Sequence, residues 1–204
     1  MPRQKLILSQ THPYHVVNSA NNREWFPFDQ DLMWEILSDE LLFATYYSGA
    51  SVHAFVLMAN HFHLLISTPE LDLGRVMQQI LSSATRRLNR SSGRSGHVFN
   101  GPHFRSVIQD PRYYSHAFKY VYRNPVRAGI VHDVTDYRFS TLHGLVGASP
   151  LRVPLFNPAD GAGDFSIPDV SDGLLTWLNH PTPKEADAAI RKAYRKSVFK
   201  LDLT

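Results

Sequence analysis

The chain is organised around a short apolar stretch that carries two histidines, Ala59-Asn60-His61-Phe62-His63-Leu64-Leu65-Ile66. A stretch this short and this apolar is typical of a buried or half-buried β-strand. Because alternate residues of a strand point to the same face, His61 and His63 should project together, with Phe62 on the other side. Two imidazoles side by side on a rigid strand are a ready pair of metal ligands. Such a pair alone is equally compatible with a structural role.

The bulk composition suits a globular protein with one substantial domain, or one domain and an extension, in 204 residues. The chain has no cysteine, which excludes disulfides and thiolate metal sites and leaves nitrogen and oxygen as metal ligands. No N-terminal signal pattern is visible, and no apolar stretch reaches the ~18 residues that span a membrane. We therefore expect a cytoplasmic protein without a membrane partner.

The basic residues are concentrated between Leu73 and His132. This segment contains nine arginines and one lysine but a single acidic residue, Asp110. Arginine binds phosphate in a bidentate manner, so the segment suits a polyanionic partner, although basic runs are often only solvated surface.

The hydrophobic periodicity predicts the order strand, helix, strand, strand, helix, strand, helix. The predicted strands lie at 13–18, 52–58, from His61 onward and within 98–108. The first helix is capped by Asp29 or Asp31 and ended by Gly49, and the second begins at Leu73. The third runs from 112 to about 123, where Asn124-Pro125 interrupts it before a short helical turn resumes at 126–128 and Gly129 closes it. This order predicts an α+β fold with a mainly antiparallel, ferredoxin-like sheet and helices packed on it.

The texture of the sequence changes after Gly147. We predict a domain over residues 1–147 and a loop-rich C-terminal extension over 148–204, with loop at 149–172 and a short helix at 174–178. Thr182-Pro183-Lys184-Glu185 has the pattern of a capping box and predicts the start of a basic terminal helix.

A second set of polar side chains lies on the predicted third helix. Tyr113, His116, Tyr120 and Asn124 are three or four residues apart and therefore share one side. A tyrosine becomes a useful nucleophile only with help, since its unperturbed pKa is ~10, and a nearby metal ion could supply it. The plain alternatives are packing for the tyrosines and a helix stop for Asn-Pro.

Two motifs, in this order, resemble a known family. The stretch 58–66 resembles the HUH signature of single-tyrosine, IS200-like transposases, and Tyr120-Val121-Tyr122-Arg123-Asn124-Pro125-Val126-Arg127-Ala128-Gly129 resembles the tyrosine helix of their REP-associated branch. The resemblance extends over roughly residues 12–145. It implies a ferredoxin-like HUH fold in which His61 and His63 bind Mg²⁺ or Mn²⁺, Tyr120 is the nucleophile, and Asn124 takes the place of a third ligand.

The resemblance also implies a reaction and a partner. The expected activity is metal-dependent cleavage and rejoining of single-stranded or hairpin DNA through a 5′-phosphotyrosine. The expected DNA contacts are Arg86, Arg87, Arg90, Arg105, Arg123 and Arg127. Two alternatives are a non-catalytic hairpin-binding relative and a metal-dependent phosphodiesterase that uses water. Both a monomer and a homodimer are compatible with the family.

Overall fold

The computed structural model describes residues 7–70, 72–156, 167–168 and 173–201. Its four strands are β1 (Tyr14–Ser19), β2 (Ser51–Leu57), β3 (His61–Ser67) and β4 (Phe104–Val107). Its helices are α1 (Gln30–Ser48), α2 (Leu73–Ser92), α3 (Tyr114–Arg127), α4 (Leu142–Leu145), α5 (Leu174–Asn179) and α6 (Lys184–Ala193). Within the described residues, no helix is both long and apolar enough to cross a membrane.

The strands form one antiparallel sheet in the order β2-β3-β1-β4. With α1 between β1 and β2, and α2 between β3 and β4, this is the ferredoxin-like arrangement, and the predicted α+β fold class is confirmed. The β2–β3 connection is short, so these two strands pair as a hairpin. The central strands β1 and β3 pair over their full length, from Tyr14 opposite Ile66 to Ser19 opposite His61.

The predicted ends of α1 are confirmed by its caps. The Asp29 side chain accepts hydrogen bonds from the backbone N–H groups of Asp31 and Leu32, which identifies Asp29 rather than Asp31 as the cap. Gly49 closes the helix in the left-handed conformation, with a φ of 59°.

The two faces of the sheet carry separate cores. Helices α1 and α2 cover one face, where they pack on residues such as Val16 and Leu64. Helix α3 covers the other face together with α5 and α6, and packs on residues such as Val56 and Leu65. Leu64 and Leu65 are neighbours on β3 but belong to different cores, because successive strand residues point to opposite faces.

The predicted interruption of the third helix is wrong. Helix α3 continues through Pro125 to Arg127. A proline inside a helix leaves a carbonyl four residues earlier without its usual N–H partner. Here the Asn124 side-chain amide donates to the Tyr120 carbonyl oxygen at 2.8 Å and to the Val121 carbonyl oxygen at 3.4 Å. The longer of these two bonds reaches Val121, whose carbonyl is the one that Pro125 leaves without a backbone partner.

The C-terminal residues join the second core. Leu178, Ile190, Tyr194 and Phe199 are buried against α3, so the described part of 148–204 packs on the sheet domain. The predicted capping box is wrong, because α6 begins at Lys184 with Pro183 as its N-cap, and no side chain caps it. The predicted loop at 149–172 lies mostly outside the described residues.

Candidate active site

Three histidines come together on the α3 face of the sheet. His61 and His63 lie on β3, and His15 lies on the neighbouring strand β1. The register places Val17 opposite His63 and His15 opposite Leu65, so His15 is the diagonal neighbour of His63 on the same face. His15 was not among the predicted site residues.

The histidine side chains form a contiguous line of nitrogen atoms. His61 Nε2 lies 3.1 Å from His63 Nε2, and His63 Nδ1 lies 3.0 Å from His15 Nε2. At the outer end, His61 Nδ1 lies 2.6 Å from Asn60 Oδ1. His15 therefore contacts the back of His63, while His61 and His63 present their Nε2 atoms to each other.

Burial keeps these imidazoles neutral. It lowers the pKa of His61, and it lowers the pKa of His15 to about 3. The pKa of His63 is held well below its ordinary value first by burial and then by the positive charge that His15, His61 and Arg127 could carry. At neutral pH each of these imidazoles is therefore uncharged and has one unprotonated ring nitrogen.

Helix α3 brings Tyr120 to the histidines. The Tyr120 ring makes edge contacts with the rings of His63 and His15, at centroid distances of 5.6 and 5.7 Å. The Arg127 guanidinium lies 4.4 Å from the centre of the Tyr120 ring and also donates to the Asp187 carboxylate at 2.8 Å. Tyr120 is thus held by contacts on its ring.

Tyr194, just after α6, completes the wall of the site. Its ring centroid lies 3.9 Å from that of His15 and 4.6 Å from that of Tyr120. The side chain is buried, and burial raises the pKa of its hydroxyl. Sequence reasoning missed Tyr194 because its segment matched no motif.

These side chains surround an open cavity of about 460 Å³. Its lining combines the three histidines and both tyrosines with cationic and apolar groups. The further lining residues are Val17, Met58, Phe104, Asn124, Arg127, Ala128, Arg191 and Arg195. The cavity thus combines a neutral nitrogen pair, a phenol and several guanidinium groups, which together suit a phosphate ester.

Comparison with known proteins identifies the family of this chain. The family model described as "Transposase IS200 like" matches residues 9–124, which is more than half of the chain. The chain belongs to the IS200-like transposase family. The REP-associated tyrosine transposase of Escherichia coli (strain K12) is 30% identical over 125 residues, which cover 60% of this chain and 67% of that relative.

A solved structure shows the same fold. A REP-associated tyrosine transposase bound to a REP hairpin matches with a TM-score of 0.61 and 21% identity. The match covers 81% of this chain and 94% of that chain. Because 81% of 204 residues is more than 147 residues, the matched region includes part of the C-terminal segment. For this transposase, the comparison supports the ferredoxin-like core derived above.

The histidine pair of the transposase fits a metal ion that has further ligands. Two nitrogens that bind one ion at ~2.1 Å and about a right angle lie ~3 Å apart, close to the 3.1 Å between the Nε2 atoms of His61 and His63. Within the described residues, no group of three His, Cys, Asp or Glu side chains is arranged to hold a metal. The remaining ligands would therefore be oxygen atoms. Asn124 lines the cavity, and its Oδ1 is the atom left for such a bond, because its amide nitrogen donates to α3.

Two of the arginines predicted to bind DNA lie on α3, but only one of them, Arg127, lines the cavity. Arg123 is buried and donates at 2.6 and 2.7 Å to the carbonyl oxygens of Leu178 and Asn179, so it ties α3 to the end of α5.

The other four predicted arginines lie away from the cavity. Arg86 and Arg90 are exposed on α2, and α2 covers the opposite face of the sheet. Arg87 forms ion pairs with Asp39 and Glu40 of α1. Arg105 lies opposite Val16 in the register and contacts His103 at 3.2 Å. The structure instead places Arg191 and Arg195 at the cavity.

Proposed function

We propose that this transposase cleaves and rejoins single-stranded DNA at hairpin-containing sites, with Tyr120 as the nucleophile. The observation that carries the proposal is the Tyr120 ring, 5.6 Å from that of His63, in a cavity with a neutral histidine pair and arginine side chains. Hairpin DNA is the proposed substrate because the matched solved structure is bound to a REP hairpin.

The proposed reaction is a transfer of the phosphodiester from a deoxyribose oxygen to tyrosine. The Tyr120 phenol oxygen attacks phosphorus and loses its proton, the bond from phosphorus to the 3′ oxygen breaks, and that oxygen takes up a proton. The products are a 5′-phosphotyrosine and a free 3′-hydroxyl. Attack by another 3′-hydroxyl reverses these changes and joins strands, so no external energy source is required.

The side chains around Tyr120 orient the reactants. Arg127 packs on the Tyr120 ring and carries a positive charge beside it, where a phosphate would approach. Arg191 and Arg195 line the same cavity and are placed to contact the DNA backbone. Tyr120 lines this cavity, and within the described residues its hydroxyl makes no hydrogen bond that would compete with the attack.

A divalent metal ion, Mg²⁺ or Mn²⁺, is part of this proposal. His61, His63 and the Asn124 amide oxygen would hold it, with oxygen atoms of water or DNA as further ligands. When bound, it would supply Lewis-acid polarisation of the scissile phosphate. The lowered pKa values of His61 and His63 support the role, because only neutral imidazoles can bind.

The proposed site is complete within one chain. His61, His63 and Tyr120 of the same molecule lie around one cavity, which supports cleavage by a monomer. A mixture of His61→Ala and Tyr120→Phe proteins should therefore remain inactive. Recovery of activity in the mixture would instead indicate that subunits exchange α3.

The decisive experiment uses end-labelled hairpin DNA with single-stranded flanks, incubated with the full chain and Mg²⁺ or Mn²⁺. The wild-type protein should form a covalent adduct that survives denaturing electrophoresis, and mass spectrometry should place the bond on Tyr120. Tyr120→Phe should abolish both adduct and cleavage. The matched control is Tyr46→Phe, at a side chain that is 79% exposed on α1, and it should behave as wild type.

The same experiment distinguishes the two alternatives. Cleavage that persists in Tyr120→Phe without an adduct would indicate water as the nucleophile. Hairpin binding without cleavage in the wild-type protein would indicate a non-catalytic DNA-binding relative.

A further inference from the structure

Behind His63 lie two buried polar atoms that have no hydrogen-bond partner among the described residues. They are His15 Nδ1 and Ser106 Oγ, and the two side chains are 1% and 0% exposed. The two residues face each other directly across the β1–β4 ladder. A buried polar group without a partner is costly, so an adjacent pair of them calls for an explanation.

The contacts of His61 determine where the protons lie when no ligand is bound. With the Asn60 amide oriented as it is in the structure, its Oδ1 accepts a hydrogen bond from His61 Nδ1, which leaves a lone pair at His61 Nε2. His63 Nε2, 3.1 Å away, must then be the donor, and its Nδ1 becomes an acceptor. His15 in turn donates from Nε2, which leaves its Nδ1 as an unprotonated, unpartnered nitrogen.

Metal binding requires a different arrangement of the same protons. A lone pair on His63 Nε2 is needed, so His63 must carry its proton on Nδ1 and donate it to His15 Nε2. His15 must then carry its own proton on Nδ1, beside Ser106. The proton of His15 Nε2 crosses the hydrogen bond to His63 Nδ1, the proton on His63 Nε2 leaves to solvent, and one proton from solvent is taken up at His15 Nδ1. The net charge of the three rings is therefore unchanged.

We infer that His15, supported by Ser106, is a positioning residue that holds His63 in the tautomer able to bind a metal ion. This inference rests on the proposed function of the same site. In the loaded state His63 donates from Nδ1 to His15, and His15 donates from Nδ1 to the Ser106 hydroxyl. Residues directly opposite in an antiparallel pair have Cβ atoms ~5 Å apart, which puts the hydroxyl within reach after a side-chain rotation.

Two observations separate this role from others. His15 cannot be a third ligand of the same ion, because its Nε2 faces the Nδ1 atom of His63, on the far side of the ring from Nε2. His15 Nε2 meets His63 Nδ1 at 3.0 Å, so this contact depends on a ring nitrogen that an apolar residue at position 15 would lack. Metal-binding histidines commonly donate their second ring N–H to a neighbouring acceptor, and His15 is the acceptor available here.

The first test measures the affinity of the full chain for Mn²⁺ alone, by electron paramagnetic resonance, without DNA. His15→Phe keeps an aromatic ring but removes the acceptor, and it should weaken Mn²⁺ binding ~10- to 100-fold. Ser106→Ala should also weaken binding, by a smaller factor. The matched control is Ser38→Ala, because Ser38 is equally buried with an unpartnered hydroxyl but lies on α1, and its affinity should equal that of wild type.

The second test reads the tautomers directly from ¹⁵N chemical shifts of the His15 and His63 rings. In the metal-free protein His63 should carry its proton on Nε2, and saturating Mg²⁺ should move it to Nδ1, with a parallel change from Nε2 to Nδ1 in His15. Equal Mn²⁺ affinities of wild type, His15→Phe and Ser106→Ala would overturn the inference, as would a His15 ring whose proton stays on Nε2 when Mg²⁺ is bound.

These outcomes are distinct from failure of the proposed function. Wild-type protein that binds no Mn²⁺ would remove the metal site, and with it both proposals. Wild-type protein that binds Mn²⁺ and forms the DNA adduct, with variants of unchanged affinity, would overturn only the role of His15. If His15→Phe does not fold, Ser106→Ala and the ¹⁵N shifts decide the question.

Discussion

Acid should destabilise this transposase through a histidine that does not line its candidate active site. His53 lies on β2, 2% exposed, between Tyr114 of α3 and Ser67 of β3. His53 Nδ1 is 2.9 Å from the Tyr114 hydroxyl oxygen, His53 Nε2 is 2.8 Å from Ser67 Oγ, and the ring of Phe156 packs against it. None of these neighbours carries a charge, because burial raises the pKa of the Tyr114 hydroxyl.

The sign of the effect follows from this environment. Burial lowers the pKa of His53 to about 3, whereas in the unfolded chain it is ~6.5. The unfolded state therefore binds the proton first as the pH falls, and the free energy of unfolding decreases between pH 6.5 and 3. From pH 7 to pH 5, the loss attributable to His53 is about 2 kcal/mol. Domains of this kind have only ~5–15 kcal/mol of stability, so the effect is measurable.

The assay is urea unfolding of wild type and His53→Gln at pH 7 and pH 5, with no metal added. The glutamine keeps hydrogen-bonding groups but does not titrate, so the pH 7 to pH 5 difference should shrink by about 2 kcal/mol, whatever the absolute stability of the variant. His132→Gln, at an exposed position, is the control and should leave that difference unchanged. A His53→Gln protein that loses as much stability as wild type between the two pH values would refute the reasoning.

Three further predictions concern the fold. Arg87→Ala leaves the Glu40 carboxylate, 8% exposed, without its cation and should lower the free energy of unfolding in urea by about 1 kcal/mol, a modest loss because solvent partly screens the guanidinium. The affinity for hairpin DNA in a gel-shift assay should stay constant. Gly49→Ala should cost about 1 kcal/mol by the same assay, as should Gly93→Ala. Both glycines have a positive φ, and the 2.6 Å contact that a Cβ would make at position 49 is with the end of the flexible, exposed Glu70 side chain, which can move away. Asn124→Ala removes the amide that bonds two helix carbonyls and should cost ~1–3 kcal/mol; unchanged stability would mean that solvent bonds those carbonyls equally well.

Local patterns were sufficient to predict most of the fold. The apolar spacing from Leu73 to Leu88 specified the buried face of α2, and Asp29 and Gly49 specified the ends of α1. The short link before His61 predicted the β2–β3 hairpin. Each of these features depends on residues close together in sequence, where periodicity and capping determine the result.

The features that sequence reasoning missed depend on contacts between distant segments. His15 belongs to the site because β1 pairs with β3 in one particular register, which no local pattern specifies. Tyr194 reaches Tyr120 because the C-terminal segment packs on α3. A useful signal was nevertheless present in β1, where a histidine stands between Tyr14 and Val16, since a polar ring at the centre of a buried strand needs a partner.

The arginines of α3 show why composition alone cannot define a DNA-binding surface. Arg123 and Arg127 are one helical turn apart, and the charge pattern assigns both the same role. In the structure, the Arg123 guanidinium is bonded to the last carbonyls of α5, which stabilises a helix terminus, whereas Arg127 lies over the ring of Tyr120. The difference arises from what packs against each side chain, and α5 is separated from α3 by about 50 residues of sequence. Arg123 is buried and its Nη1 is bonded to two carbonyl oxygens, so the cationic surface of this transposase is better sought at the cavity, where Arg127 is joined by Arg191.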